Sequence, residues 1–432
     1  MLFRSGGGTQ TFIASAIDPR ITVSIPCVMV STAMQGGCTC ENASLLRIGT
    51  GNVEIAALFA PKPLGMSAAN DWTKEIETKG FPELQQLYKQ MGAPENVALW
   101  PQLQFGHNYN SPTREHIYAW FNKHFALGLP QPIVERDYKL LSREQLTVWD
   151  AAHPAPEGGL EFEKKLLRWW DEDSRKQIAA KPEILRAALP ILIGRPESAP
   201  SPVTRTMIHT PSNGTCVVLL SDSGISVLEK KGGVSKVEMQ ILEQNSLISA
   251  ADKFALRTDA KMPELPALRE KGVTIIGIDL LGQKGASAIG ATIEQQPIVK
   301  NPREALSYTL GYNGPLFAKR VQDVIAVVKP RPHLGGEIKR IILVATGHTG
   351  PIAAAAAAAL ASDAVDGIAI EATDEHPFAK ITDWRDPNLL PGAVKYGDLA
   401  ALIKLIAPRP VILFKTDAER AAAIEKLVGA AK

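Results

Sequence analysis

The chain has 432 residues, 45% of them hydrophobic and 21% charged; this composition is typical of a globular protein, and the length predicts more than one domain. Its 47 basic and 45 acidic residues give a net charge of +2, and without a basic tail or stripe no nucleic-acid partner is expected. The longest apolar run, Ile352 to Ala361, is too short to span a bilayer, so no membrane association is expected. No signal peptide is expected, since Met1 to Arg4 lead straight into the first predicted element, and the compartment stays unknown.

A turn at the start of the chain is the first feature that predicts chemistry. Ser5 is followed by three glycines, Gly6 to Gly8, and then by a helix-compatible run, Thr11 to Ile17. Glycines allow a sharp turn and a close approach of another segment or a substrate. A serine at a strand-to-helix turn is held out at the start of the helix, where the N–H group of Gly6 and the positive helix end can stabilise an oxyanion.

The next hundred residues alternate between strand and helix patterns. Short runs rich in β-branched or apolar residues predict strands at Ile21–Ser31, Leu64–Ala69 and Val97–Leu103, and the intervening periodic runs predict helices at Val53–Phe59, Phe81–Met91 and Thr113–Phe125. Such alternation predicts an α/β fold with a parallel sheet, in which ligands bind at the carboxyl ends of the strands.

Three polar residues each follow the end of a different predicted strand: Ser5, Asp71 and His107. Their order along the chain is that of the α/β-hydrolase catalytic triad. Histidine would deprotonate the serine hydroxyl, and aspartate would hold the imidazole in the required tautomer. Taken singly, Asp71 is better explained as a helix N-cap and His107 as a turn residue, so the order and placement of all three carry the hypothesis.

The four cysteines do not predict a metal site. Cys38 and Cys40 form a C-x-C followed by Glu41, in a loop predicted from Gln35 to Asn42. A zinc site needs a second ligand pair at suitable spacing, and Cys27 and Cys216 do not supply one. Structural thiols or one local disulfide are favoured, and no metal or cofactor is predicted.

Several short motifs resemble a known family. They are Ser5–Thr11, Gly36–Asn42, Ala60–Pro63, Asn70–Thr73 and Phe105–Asn110. Together they resemble a bacterial α/β-hydrolase family described as acetylxylan-esterase-like or dienelactone-hydrolase-like, over about residues 1–150. The resemblance implies a serine carboxylesterase with Ser5 as nucleophile, Asp71 as acid and His107 as base, acting on a small-molecule or carbohydrate ester such as acylated plant polysaccharide.

The chain departs from this family in two ways. Phe3 stands where the family has a glycine two residues before the nucleophile. The family's domain also has a longer N-terminal part, which includes one side of the oxyanion hole, so the first domain is expected to be incomplete. Gly6 would supply one oxyanion donor, and the source of the second is left open.

The middle of the chain is expected to connect two domains. The expected domains are residues 1–127 with the Ser5, Asp71 and His107 set, a helical and proline-rich connecting region at 128–202, and a second domain at 203–432. Helices are predicted at Leu160–Trp170 and Pro182–Leu192, and a linker at Glu197–Pro202. The pair Trp169 and Trp170 is expected to pack between domains rather than form a sugar platform.

The second half also predicts an α/β fold, with strands at Thr215–Leu220, Gly272–Asp279, Arg340–Ala345, Asp366–Glu371 and Pro410–Phe414 and helices at Phe317–Val328, Pro351–Leu360 and Ala418–Val428. It resembles a degenerate α/β hydrolase. Thr349 replaces serine at the elbow, Pro351 replaces glycine, and no histidine follows Asp417. We expect this half to be catalytically silent, since a fold alone carries no chemistry.

Two functional hypotheses follow. The first is a serine esterase; the alternative is a non-catalytic hydrolase-fold protein that binds or interacts, inactivated by loss of the N-terminal strands. The strand Thr22–Val30 is expected to lie beside residues 1–4 as a nearly naked edge. We expect it to be covered by another part of the chain or by a homodimer mate, and we expect two sheets rather than one merged sheet.

Overall fold

The computed structural model describes residues 1–33, 41–194, 204–207, 213–221, 229–230, 254–255, 262–283, 292–300, 306–329, 338–372 and 377–430. Residues Met1–Glu157 with Val299–Asn313 form one compact unit, and Gly158–Ile298 with Gly314–Lys432 form a second. The first segment of the first unit ends at Glu157, which lies inside the expected connecting region. The expected domain boundaries at residues 127 and 202 stay predictions. The expected linker and most of the loop that holds Cys38 and Cys40 lie outside the described residues.

The strands are β1 (Leu2–Arg4), β2 (Ile25–Cys27), β3 (Leu64–Ala69), β4 (Val97–Gln102), β5 (Thr204–Met207), β6 (Thr215–Leu220), β7 (Glu229–Lys230), β8 (Phe254–Ala255), β9 (Thr274–Asp279), β10 (Arg340–Ala345), β11 (Gly367–Glu371) and β12 (Val411–Phe414). The helices are α1 (Gly6–Ile17), α2 (Asn52–Ala57), α3 (Phe81–Gln90), α4 (Ser111–His124), α5 (Arg143–Leu146), α6 (Gly159–Ala180), α7 (Glu183–Ile193), α8 (Leu265–Glu270), α9 (Leu306–Leu310), α10 (Leu316–Val328), α11 (Thr349–Leu360), α12 (Asp398–Ile406) and α13 (Asp417–Gly429). Two short 3₁₀ helices lie at Pro94–Asn96 and Phe378–Lys380.

The first unit contains a four-stranded sheet in the order β1-β2-β3-β4, with every neighbouring pair parallel. The six residues of β3 are all buried, as expected for an inner strand that helices cover on both faces. Pro101 lies in β4, which is an edge strand, and an edge is where a strand tolerates the missing N–H of proline.

The expected strand at Ile21–Ser31 is shorter in the structure, where β2 spans three residues. Pro26 in its middle has no N–H to give to a ladder, and the partner β1 is itself only three residues long. Residues at the start of the chain nevertheless cover this strand: Phe3 pairs with Pro26, and the N–H of Ile25 donates to the carbonyl of Met1 at 2.9 Å. The expectation of a nearly naked edge at β2 is therefore wrong; among the described residues the edge of this sheet is β1.

The second unit contains a separate six-stranded sheet in the order β12-β11-β10-β6-β9-β5. The prediction of two sheets rather than one is confirmed. The five strands from β12 to β9 are parallel, but β5 runs antiparallel to β9, which the sequence pattern did not predict. Strands β7 and β8 pair as a small antiparallel ribbon.

Helix α11 shows how the second sheet is packed. It is rich in alanine, and Ala353 through Ala358 are completely buried between the sheet and helices α10 and α12. Alanine side chains let a helix approach its neighbours closely without leaving voids, which is the dense packing that protein interiors require. The apolar run that sequence analysis singled out is thus a core helix. No helix within the described ranges is long and apolar enough to cross a bilayer.

Helix α6 extends ten residues beyond the predicted Trp170. Trp169 and Trp170 are each 55% exposed. The expected packing of this pair between domains stays a prediction.

Candidate active site

Ser5 lies between β1 and α1 in an unusual backbone conformation. Its φ is 57° and its ψ is −136°, a region that residues with a side chain rarely adopt and that stores strain. Such strain at a strand-to-helix turn is the geometry that exposes a nucleophile at a sheet edge. The side chain of Ser5 makes no capping hydrogen bond to α1, so the helix does not consume its hydroxyl.

The glycines after Ser5 form the first turn of α1. The carbonyl of Ser5 accepts from the N–H of Gly8 at 2.7 Å and from that of Thr9 at 3.2 Å. The N–H groups of Gly6 and Gly7 precede these first intrahelical bonds, so they are orphan donors at the positive end of the helix. Gly8 is required for packing, because a Cβ there would lie 2.7 Å from the carbonyl oxygen of Cys27.

Asp71 follows β3, and its carboxylate is held on one side by Thr73. Asp71 Oδ1 accepts from the Thr73 backbone N–H at 2.7 Å and from the Thr73 hydroxyl at 2.5 Å. The Thr73 hydroxyl in turn accepts from the N–H of Ala69 at 3.0 Å, and Thr73 is completely buried. With Oδ1 satisfied, Oδ2 is left to face the loop that follows β4.

His107 lies in that loop and meets the free oxygen of Asp71. His107 Nδ1 is 2.8 Å from Asp71 Oδ2, with the side chains 22% and 6% exposed respectively. An ionised carboxylate can only accept, so Nδ1 carries the proton and, in the neutral ring, Nε2 is the acceptor. The loops themselves are joined, since the N–H of Asn70 donates to the carbonyl of Phe105 at 2.8 Å.

The Trp72 side chain packs against the imidazole of His107. Its ring centroid is 4.6 Å from that of His107, with the planes tilted by 36°. The indole Nε1 of Trp72 and the imidazole Nε2 of His107 are both buried, and neither has a hydrogen-bond partner in the described part of the chain. Buried polar atoms are nearly always paired, so such atoms beside a carboxylate–imidazole pair need an explanation.

The structure therefore brings together Asp71 and His107 but joins neither to Ser5 by a hydrogen bond. Ser5, Asp71 and His107 follow β1, β3 and β4 of one parallel sheet, so all three lie at its carboxyl edge. Sequence reasoning assigned no role to Thr73 or Trp72. An Asp-x-Thr turn, in which a carboxylate accepts from the N–H two residues on, is the signal that could have identified Thr73.

The corresponding turn in the second unit has a different local structure. Thr349 begins α11 directly, its side chain is almost fully buried, and its hydroxyl donates to Asn388 Oδ1 at 2.8 Å. Asp417, the predicted acid position, is the first residue of α13 and pairs with Arg420 at 2.7 Å.

Comparison with known proteins gives structural neighbours only. No family model matches the chain, and no curated protein matches it. A methylesterase structure is 35% identical over 28% of this chain and 28% of its own, with a TM-score of 0.27. The chain thus aligns with just over a quarter of that protein's length.

Two further solved structures align over longer stretches. A Bacteroides fragilis protein named as a candidate acetyl xylan esterase is 15% identical over 60% of this chain and 73% of its own, with a TM-score of 0.29. A glucuronoyl esterase from Solibacter usitatus is 13% identical over 54% of this chain and 68% of its own, with a TM-score of 0.32. The chain has an α/β fold with parallel sheets, and the solved structures that it resembles are α/β-hydrolase-like esterases.

Proposed function

We propose that this protein is a serine carboxylesterase that hydrolyses carboxylic esters through an acyl-serine intermediate. The observation that carries the proposal is the 2.8 Å contact between Asp71 Oδ2 and His107 Nδ1, which leaves His107 Nε2 as an unpartnered acceptor. Ser5 stands at the same sheet edge in a strained turn, with its hydroxyl not used as a helix cap. These are the components of a nucleophile, a base and an orienting acid.

In the first half-reaction, Ser5 Oγ attacks the ester carbonyl carbon while His107 Nε2 takes the hydroxyl proton. Asp71 accepts from Nδ1 throughout and stabilises the imidazolium that forms. This step requires Ser5 Oγ and His107 Nε2 to come within hydrogen-bond reach when substrate binds. Catalytic hydrogen bonds often tighten only in the substrate complex.

The oxyanion of the tetrahedral intermediate would accept from the N–H of Gly6, at the positive end of α1. The intermediate collapses as His107 returns its proton to the leaving alcohol. Water then attacks the acyl-serine with His107 again acting as base, and the acid is released as His107 returns that proton to Ser5 Oγ. Acyl transfer by this route needs no metal or cofactor. We propose acetylated polysaccharide and other small acyl esters as substrates.

The decisive experiment labels the nucleophilic serine covalently and identifies which residue it is. The full chain is incubated with a fluorophosphonate, which phosphonylates activated serines, and the modified peptide is identified by mass spectrometry. Modification of Ser5, slowed while excess p-nitrophenyl acetate competes for the site, is the expected result. No modification, or modification at another serine, would contradict the assignment.

A non-catalytic binding protein is the second candidate, and two observations favour it. No hydrogen bond joins Ser5 to His107, and β1, which carries Ser5, is an edge strand in the described sheet. If this candidate is right, neither fluorophosphonate labelling nor release of nitrophenol above the rate in buffer will be observed.

A further inference from the structure

Arg47 is a buried cation with one nitrogen that makes no hydrogen bond. The residue is 3% exposed, and its Nη2 atom is closed off from solvent and has no partner in the part of the chain that the structure describes. The other two nitrogens are engaged, since Nε donates to Asn52 Oδ1 at 3.0 Å and Nη1 donates to Asn42 Oδ1 at 3.1 Å. A guanidinium keeps its proton at any ordinary pH, so Nη2 is a charged donor. A buried charged donor without an acceptor is destabilising and needs an explanation.

The backbone and the ring system around Arg47 fix its position. The N–H of Arg47 donates to the carbonyl of Gly311 at 2.8 Å. The N–H of Leu45 donates to the carbonyl of Leu310 at 2.6 Å. The ring centroid of Tyr312 lies 5.9 Å from Arg47 Cζ, within the range of a cation–π contact, and this segment belongs to the same compact unit as Arg47. Nη2 is therefore a preorganised donor, and preorganisation lowers the cost of binding a ligand.

Arg47 lies at the same edge of the first sheet as the predicted triad. Its partner Asn52 is completely buried and donates from Nδ2 to the carbonyl of Met29 at 3.2 Å. Met29 lies two residues beyond the carboxyl end of β2, the strand that pairs with both β1 and β3. The Met29 side chain lies against the first turn of α1, where a Cβ on Gly8 would be 2.9 Å from Met29 Cγ. The unpaired nitrogen thus belongs to the edge at which parallel sheets bind their ligands.

We propose that Arg47 Nη2 binds a carboxylate of the substrate, so that the preferred esters carry a free carboxylate in addition to the ester group. This inference rests on the proposed esterase function, because it names the substrate class of that same site. A planar guanidinium matches the oxygens of a carboxylate in both geometry and charge. Because Nη2 is closed off from solvent, the carboxylate reaches it only when neighbouring side chains move apart.

Glu41 favours a singly charged carboxylate over a doubly charged phosphate. Glu41 is 6% exposed. Burial lowers the pKa of Arg47, and the phenol of Tyr312 and the carboxylate of Glu41 oppose that shift. Arg47 therefore already feels one negative charge from the protein. A ligand with a single negative charge is repelled less by Glu41 than a ligand with two.

Binding to the Ser5→Ala chain, which cannot form an acyl-serine at residue 5, tests the preference without turnover. Isothermal titration calorimetry compares the monomethyl esters of succinic and adipic acid with the corresponding dimethyl esters, in which the carboxylate is masked. At one or both chain lengths the monomethyl ester should bind about tenfold or more tightly, as expected for a hydrogen bond to a charged group. Monomethyl esters that bind no more tightly than their diesters at either length would overturn the proposal.

Variants of Arg47 show whether this residue is the source of the preference. Arg47→Gln should bring the two affinities to within about threefold of each other, whereas Arg47→Lys keeps the charge and should keep part of the preference. Arg20→Gln is the matched control, because Arg20 is an exposed guanidinium that pairs with Asp18 at the other end of α1. It should keep the full preference.

A purely structural role of Arg47 predicts a different result. It would weaken the binding of both esters alike and leave the ratio of their affinities unchanged, and that outcome would contradict the proposal. Circular dichroism checks that each variant is folded. If Arg47→Gln does not fold, the ratio measured for Arg47→Lys decides, and a ratio equal to that of the parent Ser5→Ala chain would overturn the proposal.

Turnover by the wild type separates this inference from the proposed function. Hydrolysis of the monomethyl and dimethyl esters with the same kcat/KM would contradict the carboxylate preference and leave the esterase function intact. A binding preference that depends on Arg47, without release of methanol by the wild type, would support the carboxylate site and contradict the esterase function.

Discussion

The two strand-to-helix turns of this protein look alike in topology and differ in local structure. In both units a parallel strand leads within a few residues into a helix, β1 into α1 and β10 into α11. At the first turn, Ser5 has a positive φ and its hydroxyl caps nothing. At the second, Thr349 lies within the helix and its hydroxyl is bonded to Asn388.

The carboxylates that follow these turns differ in the same way. Asp71 holds an imidazole, while Asp417 holds the guanidinium of Arg420 and has a side chain that is 64% exposed. A guanidinium keeps its proton at any ordinary pH and cannot act as a base. The comparison teaches that two mainly parallel sheets can carry different side-chain arrangements at the ends of their strands, and a fold alone carries no chemistry.

The largest effect is expected at the two turn residues themselves. Ser5→Ala should lower ester hydrolysis by about 10³-fold or more, because the nucleophile is lost. Thr349→Ala should leave the rate nearly unchanged, since its hydroxyl is engaged with Asn388. Release of p-nitrophenol from the acetyl ester measures both. If Thr349→Ala were the inactive variant, the active unit would have been assigned wrongly.

The two aspartates provide the next contrast. Asp71→Asn should lower kcat by about 10²–10³-fold, because an amide no longer fixes the tautomer or stabilises the imidazolium. Asp417→Asn loses only the pairing of a largely exposed carboxylate with Arg420, in the unit that lacks the predicted triad, and should retain full activity. Steady-state kinetics on both variants makes the comparison. Equal activity of Asp71→Asn and wild type would contradict a triad role for Asp71.

The glycines of the two turns differ in the space around them. Gly8→Ala would place a Cβ 2.7 Å from the Cys27 carbonyl oxygen and 2.9 Å from Met29 Cγ. This crowding should destabilise the first unit by about 2 kcal/mol. At Gly350 the nearest atoms would be at 3.5 and 3.6 Å, which is ordinary contact.

The free energy of unfolding of Gly350→Ala should therefore exceed that of the wild type by no more than about 1 kcal/mol, because alanine favours helix. Urea unfolding of the full chain measures both glycine variants. A destabilisation by Gly350→Ala as large as that by Gly8→Ala would show that the packing difference between the turns is not real.

The smallest effect is expected at Thr73, which positions Asp71. Thr73→Val keeps the shape but removes the hydroxyl that donates to Asp71 Oδ1 and accepts from Ala69. We expect kcat to fall about tenfold with KM unchanged, because a freer carboxylate orients His107 less well. Thr73→Ser keeps the hydroxyl and should restore most of the activity. A Ser variant as slow as the Val variant would point to packing rather than positioning.

Local signals were enough to predict much of the fold. The bounds of β3, β6 and β10 agree with the predicted strands, because each is a short apolar run flanked by turn residues. The order of strands and helices in the first hundred residues placed Ser5, Asp71 and His107 after three different strands of one sheet. Helix α12 was missed although its sequence is amphipathic. The direction of β5 had no local signal, since pairing direction is set by neighbours distant in sequence.

By itself, then, the sequence determined the α/β class, the strand-to-helix turn at Ser5 and the loops that carry Asp71 and His107. It determined them because periodicity, glycines and turn residues act over a few neighbouring positions. Only the tertiary structure decided that His107 meets Asp71 across 36 residues, that Thr73 occupies the other carboxylate oxygen, and that α6 is exposed. Those contacts depend on which strands become neighbours and on how tightly the loops at their ends pack, and no local pattern encodes either.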